Sequence, residues 1–278
     1  MAEVLVLTAA AGVPDAAADG VAGRVRRLAP SALEVALDGP LPVGFAVPGV
    51  DANLVPAAGR RKRLLIADMD STIIGVECID ELADFAGVKP EVAAITERAM
   101  RGELDFEAAL DARVALLAGL PESVLAECYA ERVRLNPGAK TLVRTMAALG
   151  AETALVSGGF SFFTARVAAE AGFTRNQANT LLVADGKLTG RAARPILGRA
   201  AKLAALAAIA AELGFGPEAA IAVGDGANDL DMVAAAGLGV AYRAKPALAA
   251  GADARLDHSD LTALLALQGI PASEWKAG

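Results

Sequence analysis

The sequence predicts an α/β fold: a Rossmann-like, mostly parallel sheet with an inserted helical-bundle cap and a small N-terminal α+β region. Three observations predict it. Short apolar runs flanked by Gly or Asp alternate with helical stretches: LLIAD (64–68), ETALVSG (152–158), AAIAVGD (219–225) and GLGVAY (237–242). Three polar or small-residue segments, DMDST, SGGFS and GDGAND, lie at the ends of these runs, where parallel sheets bind ligands. Residues 69–151 separate the first two runs, far more than an ordinary crossover needs, so a further unit is inserted there.

Taken in order, EVLVLT (3–8) reads as a strand, PDAAADGVAGRVRRL (14–28) as a helix and LEVAL (33–37) as a strand. The segment 38–63 is rich in Pro and Gly, ends in positive charge and reads as a linker. The expected division is therefore an N-terminal α+β region with its linker at 1–60, a core at 61–75 and 136–278, and a helical cap at 76–135. Within the cap, VECIDELADFAG, KPEVAAITERAMRGE, DFEAALDARVALLAG and PESVLAECYAERV have helical patterns punctuated by Gly87, Gly119 and Pro121. A hairpin is expected in TLLVADGKLTGRA (180–192), where Asp185-Gly186 suits a two-residue turn.

Composition excludes several functions. The 55% hydrophobic fraction is largely alanine, and no run reaches the roughly 20 strongly apolar residues of a membrane span. The first 20 residues lack a basic stretch before their apolar segment, which argues against a secretory signal and makes the cytoplasm the expected location. Net charge is −7, and the basic runs RVRR (24–27) and GRRKR (59–63) are short. They read as a solvated helix face and a charged linker, so neither nucleic acid nor a membrane is an expected partner. Cys78 and Cys128 are too few and too far apart for a zinc site or a disulfide framework. The single histidine, His258, excludes multi-histidine zinc sites and leaves one residue near the C-terminus for any Ser-His-Asp triad. Carboxylates, hydroxyls and lysines must carry any chemistry.

DMDST places Asp68 and Asp70 one residue apart at a strand end. Like charges so close raise each other's pKa unless a cation holds them, so the pair is either a solvated turn or a cation site. GDGANDLDM (224–232) adds Asp225, Asn228 and Asp229 at a second strand end. Mg²⁺ prefers hard oxygen ligands. Asp68 and Asp225 supply carboxylates, and Asp70 can supply its backbone carbonyl. In LVSGGFS (155–161), Ser157 offers a hydroxyl, while Gly158 and its neighbour allow backbone N–H groups to approach an anion. Taken alone, SGG is an ordinary turn. Lys202, the only cation in 200–215, is either a solvated lysine or the fixed cation such a site requires.

Taken together, DMDST, SGG, the lone Lys202 and GDGAND resemble the haloacid dehalogenase superfamily of aspartate-nucleophile phosphotransferases. DMDSTIIGVECIDELADFAG (68–87), MRGELDFEAALDARVALLAGL (100–120), NPG (136–138), SGGFSFF (157–163), DGKLTG (185–190) and GDGANDLDM resemble its phosphoserine phosphatase group. The resemblance implies an Mg²⁺-dependent phosphomonoesterase acting on O-phospho-L-serine, the last step of serine biosynthesis. Asp68 would be the nucleophile and Asp70 the general acid and base. Ser157, Gly158, Lys202 and Asn228 would bind the phosphoryl group, with Thr72 donating to it or to the nucleophile. Asp68, Asp70 and Asp225 would hold the metal, and Asp229 would orient Lys202 or a metal-bound water. Glu77 and Arg113 would pair with the ammonium and carboxylate of the substrate. Without the resemblance, Glu77 reads as a helix N-terminal charge and Arg113 as a surface residue of an amphipathic helix. Cys78 is expected to be a small buried residue without chemistry. The partner is a small-molecule phosphomonoester, and a homodimer is carried as an expectation. Two alternatives stay open. One keeps the fold and changes the substrate to another small phosphorylated amino or hydroxy acid, or the acceptor to one other than water. The other is an amino-acid-binding regulatory protein on an inactive scaffold.

Overall fold

The computed structural model describes residues 3–100 and 103–277. Arg101 and Gly102, within the segment 100–120 quoted above, and Met1 and Ala2 lie outside the described residues.

Four N-terminal strands, β1 (Glu3–Thr8), β2 (Gly23–Ala29), β3 (Ala32–Leu37) and β4 (Asp51–Pro56), form an antiparallel sheet in the order β2-β3-β1-β4. Two expectations fail here. The helix over 14–28 is reduced to one 3-10 turn at Asp15–Ala18 followed by strand β2. Gly20 and Gly23 interrupt a helix, and RVRR pairs across the sheet instead: Arg26 stands opposite Glu34, with Arg26 Nε 2.6 Å from its carboxylate. RVRR is thus an edge strand, not a helix face. The linker read over 38–63 contains β4. Its buried positions are Asp51, Asn53 and Val55, so no apolar alternation marks it. Residues 57–63 join the two sheets.

The second sheet is built from β5 (Leu64–Ala67), β6 (Glu152–Phe160), β7 (Arg175–Asn179), β10 (Ala220–Gly224), β11 (Leu238–Tyr242) and β12 (Ala254–Leu256). All six strands are parallel, in the order β12-β11-β10-β5-β6-β7. The four strands expected from apolar runs are its centre. The edge strands β7 and β12 escape sequence reading because they are short, and β7 is mostly polar. Between β7 and β10 lies the hairpin β8 (Leu181–Ala184) and β9 (Lys187–Ala192). Asp185 (φ 51) and Gly186 (φ 70) form its two-residue turn, as expected.

Successive residues of the central strands face opposite sides. Leu65, Ala67, Leu155, Ile221 and Val223 pack toward α5 (Ala139–Ala148), α6 (Ser161–Ala171) and α10 (Ala263–Leu267). Leu64, Ile66, Ala154, Val156 and Ala222 pack toward α7 (Arg199–Glu212) and α8 (Leu230–Ala235). Leu64, Leu65 and Ile66 are fully buried, and each such side chain contributes about 1.5–3 kcal/mol. The short α9 (Pro246–Ala249) follows β11. Among the described residues, four helices fill the long insertion after β5: α1 (Cys78–Phe85), α2 (Lys89–Met100), α3 (Phe106–Ala115) and α4 (Ser123–Arg132). The chain leaves and re-enters the core side by side: Ile74 pairs antiparallel with Leu135, and the Asn136 amide donates to the carbonyls of Thr72 (2.8 Å) and Ile74 (3.1 Å).

Polar side chains join the two sheets. Asn53 imitates a strand, donating to the Arg255 carbonyl (3.0 Å) and accepting from its N–H (2.8 Å). The buried Asp51 carboxylate accepts from the N–H groups of Asp257 (2.9 Å) and His258 (3.0 Å) and from Ser259 Oγ (2.6 Å). Asp51→Ala should leave these donors unpaired at a cost of about 1–3 kcal/mol. The expected outcome is a Tm several degrees lower than that of the parent chain, measured by circular dichroism.

Candidate active site

The centre of the site follows from strand register. Ala67 pairs with Val223 on one side and Leu155 on the other, so the ends of β10, β5 and β6 lie level. From β5 the chain first runs outward through β6 and β7, then returns to β10 on the other side. The crevice at that reversal is where parallel sheets bind ligands. Asp68 and Asp70 follow β5, Ser157 and Gly158 lie toward the end of β6, and Asp225 and Asn228 follow β10.

Asp68 is 3% exposed and Lys202 fully buried. Lys202 Nζ lies 2.7 Å from Asp68 Oδ1 and 2.7 Å from Asp229 Oδ1. The other Asp229 oxygen accepts from the N–H groups of Asp225 (3.2 Å) and Gly226 (3.1 Å). Asp68 Oδ1 also accepts from Met69 N–H (2.8 Å). Burial alone would push the Lys202 ammonium down, but Asp68 and Asp229 outweigh it and hold its pKa above the usual value. Burial, reinforced by Asp229 and opposed by Lys202, holds Asp68 well above the ordinary carboxylate range.

Asp70 is turned differently. Ser71 adopts a left-handed φ of 55°, which reverses the chain beneath it. Asp70 Oδ1 accepts from Cys78 N–H (3.0 Å) at the start of α1. Its other oxygen lies 3.5 Å from Ser157 Oγ, and that Oγ accepts from Gly159 N–H (2.8 Å). A Cβ at Gly159 would lie 2.5 Å from Asp70 Oδ2, so any larger residue there would displace that carboxylate. Burial and then Glu77 push Asp70 up to about 7, against the Cys78 N–H and Lys202. Burial and then Asp229 push Asp225 up to about 6.

Carboxylate oxygens of Asp68, Asp225 and Asp229 lie within 4.8 Å of one another. This hard-oxygen set fits a divalent cation, whose charge would relieve both the burial and the mutual repulsion that raise Asp68 and Asp225. The Asp70 carboxylate is outside this cluster. Asp229 already uses both oxygens on Lys202 and the backbone.

A cavity of about 760 Å³ opens above this floor. Asp68, Asp70, Glu77, Arg113, Ser157, Gly158, Asp225 and Asn228 all line it. Lys202 does not; it sits beneath Asp68 and reaches the cavity through that carboxylate. Thr72 is fully buried outside the lining, and its Oγ1 has no hydrogen-bond partner among the described residues. Glu77, half-buried, accepts from Ser71 Oγ (2.6 Å). Arg113 projects from α3, whose first turn Asp105 caps by accepting from Ala108 N–H (2.8 Å). Burial lowers the Arg113 pKa, while Asp80, Glu77 and Asp70 oppose that shift.

The cavity also includes residues that the sequence did not single out. Phe106 of α3 lies so close to Gly158 and Gly198 that a Cβ at either would come within 3.1 Å of its ring. Lys245, on the opposite wall, donates its N–H to the Asp225 carbonyl (2.8 Å). The Cys78 thiol is buried, as expected, but its backbone N–H anchors Asp70. No sequence signal marks these contacts, because each joins segments distant in the chain.

Comparison with known proteins agrees with this geometry. A family model for haloacid dehalogenase-like hydrolases matches residues 65–234. A phosphoserine phosphatase of Streptomyces coelicolor is 48% identical over 231 residues, covering 82% of this chain and 56% of that one. The chain thus spans little more than half the length of that relative. A phosphoserine phosphatase of Polaromonas is 47% identical over 210 residues, covering 74% of this chain and 89% of the other. Among solved structures, a probable phosphoserine phosphatase from Vibrio cholerae, in unliganded form, superposes with a TM-score of 0.83 at 33% identity. It covers 98% of this chain and 88% of that one. Among the described residues, no helix is long and apolar enough to cross a membrane. With its parallel sheet, strand-end aspartates and family match over residues 65–234, the chain belongs to the haloacid dehalogenase-like hydrolases.

Proposed function

We propose that this chain is an Mg²⁺-dependent phosphomonoesterase that hydrolyses O-phospho-L-serine to L-serine and phosphate through an aspartyl-phosphate intermediate. The support is one cavity that joins two chemistries. Its floor carries carboxylates and a hydroxyl suited to phosphoryl transfer, and its helical wall carries Arg113 and Glu77, one base and one acid. Relatives named phosphoserine phosphatase match most of the chain. In this proposal 61–75 and 136–278 are the catalytic core, 76–135 the cap that selects substrate, and 1–60 a separate region. The free thiols Cys78 and Cys128 suit the reducing cytoplasm.

Asp68 attacks phosphorus, forming a P–O bond to its carboxylate as the P–O bond to serine breaks. Asp70, whose burial and neighbouring Glu77 raise it to about 7 so that it can hold a proton near neutrality, gives that proton to the leaving serine oxygen. Asp70 then takes a proton from water as the water oxygen attacks phosphorus, releasing phosphate and restoring Asp68. Ser157 and the backbone N–H groups beside Gly158 hold the non-bridging oxygens, with Asn228 at the rim. Lys202, clamped by Asp229, fixes the nucleophile and offsets its charge. Asp68, Asp225 and the backbone carbonyl of Asp70 would hold Mg²⁺, which supplies positive charge to the phosphoryl group. Arg113 forms a two-pronged bond to the substrate carboxylate, and Glu77 pairs with its ammonium.

Asp68→Asn keeps the shape of the side chain and removes the nucleophile. Phosphate release should fall at least about a thousandfold while the far-ultraviolet spectrum stays unchanged. Full activity in that variant would overturn the nucleophile assignment. Chelation with EDTA should abolish turnover of the parent enzyme, and added Mg²⁺ should restore it. In a panel of phosphomonoesters, phosphoserine should rank first. Arg113→Ala should raise its KM roughly 10–100-fold, and cost less on p-nitrophenyl phosphate, which has no carboxylate. Equal losses on both substrates would remove Arg113 from substrate selection.

A further inference from the structure

The β8–β9 hairpin has no part in the chemistry above, yet it is bonded to both ends of the cavity. At its base, the Asn179 amide donates to the carbonyls of Gly158 (2.8 Å) and Leu197 (3.1 Å) and accepts from Leu197 N–H (2.7 Å). Gly158 follows Ser157, so the hairpin is rooted in the phosphate end of the site.

Its other end grips the helix that carries Arg113. Residues 119–122, just beyond α3, lie beside the hairpin and pair with it through one antiparallel bridge, Pro121 to Lys187. Gly119 N–H donates to Leu188 (2.8 Å), Leu188 N–H to Leu120 (2.9 Å), and Glu122 N–H to Gly186 (2.8 Å). Gly190, at φ 73°, lies against the last turn of α3. A Cβ there would come within 2.8 Å of Ala118 Cβ and 3.2 Å of the Ala115 carbonyl. Arg194, beyond β9, pairs with Asp111 and, at 3.5 Å, with Glu107. Glu107, Asp111, Ala115 and Ala118 lie along one face of α3 and its extension, spaced three or four residues apart. Phe106, Ala109, Leu110 and Arg113 present the other face to the cavity.

We infer that the hairpin is a positioning element that sets the distance between the Ser157 floor and Arg113, and so selects the substrate by length. Gly190 and Arg194 are its positioning residues. This inference rests on the phosphoserine phosphatase function proposed above. Hydrogen bonds to backbone at one end and close packing at the other transmit position, because packed interiors deform little.

The test measures kcat and KM on phosphoserine and on p-nitrophenyl phosphate. Gly190→Ala should push α3 outward and raise the phosphoserine KM roughly tenfold, leaving kcat/KM on p-nitrophenyl phosphate within about twofold. Arg194→Ala removes only half-exposed ion pairs and carries the test if Gly190→Ala does not fold. It should raise the phosphoserine KM roughly threefold, and Arg194→Lys should restore part of the loss. Combined with Arg113→Ala, neither variant should add a further KM increase, since both act through that side chain. Equal losses on both substrates, or an unchanged phosphoserine KM in the folded variants, would overturn the positioning role alone. A parent enzyme that does not favour phosphoserine would overturn the substrate assignment and the hairpin's part in it together.

Discussion

Everything at the site depends on one buried ion chain. Lys202 Nζ lies 2.7 Å from Asp68 and 2.7 Å from Asp229, joining β5, α7 and the turn after β10. Burying one ammonium between two carboxylates costs several kcal/mol in lost hydration, and their attraction offsets this only with good geometry and further hydrogen bonds. Those bonds are present: Met69 N–H serves Asp68, and the N–H groups of Asp225 and Gly226 serve Asp229. The arrangement fixes Asp68 on a rigid strand end while leaving its open side toward the cavity. It also keeps the ammonium away from the cavity lining, so the cation acts through the carboxylate that it holds.

The same economy of polar contacts organises the rest of the molecule. Three asparagine amides, each able to donate and accept, tie together backbone segments distant in the chain. Asn53 ties the N-terminal sheet to the edge of the core sheet, Asn136 binds the outgoing and returning linkers of the cap, and Asn179, at the end of β7 where the hairpin begins, ties Gly158 of β6 to Leu197 beyond the hairpin. The cap is therefore bonded to the core at its linkers, through Cys78 N–H to Asp70 (3.0 Å), through Tyr129 to Glu170 on α6 (2.9 Å) and through the hairpin. Arg113 is carried on a helix held from behind, and Asp70 is anchored by the first residue of α1. In the proposed reaction, geometry that lies far apart in the chain sets both the acid and the substrate's carboxylate partner.

Much of the fold was legible because burial on both faces writes continuous apolar runs. LLIA, the ALV of β6, AIAV and LGVA each read as a central parallel strand for that reason. Asp68, Asp225 and Ser157 stand immediately beyond, or at the end of, those runs, so their convergence could be anticipated. The Asp185-Gly186 turn was equally plain, since its left-handed backbone suits those residues. Strand β4 was hidden because its buried positions hold Asp51 and Asn53, whose partners lie some 200 residues onward. Strand β2 was misread because alternation of Val and Arg on an exposed edge lacks an apolar face, and its pairing with β3 decided the matter.

By itself, then, the sequence determined the four central strands of the parallel sheet, the order of chemistry-bearing turns and the residue types that reach the site, because those depend on local burial and spacing. Only the tertiary structure decided how those residues divide their work. Lys202 lies under Asp68 rather than in the cavity, Asp229 is spent on Lys202 and the backbone, and Asp70 is raised by burial and Glu77. The hairpin sits behind the helix of Arg113. These follow from distances between segments remote in the chain, and such distances exist only once the sheet has closed its register and the helices have packed upon it.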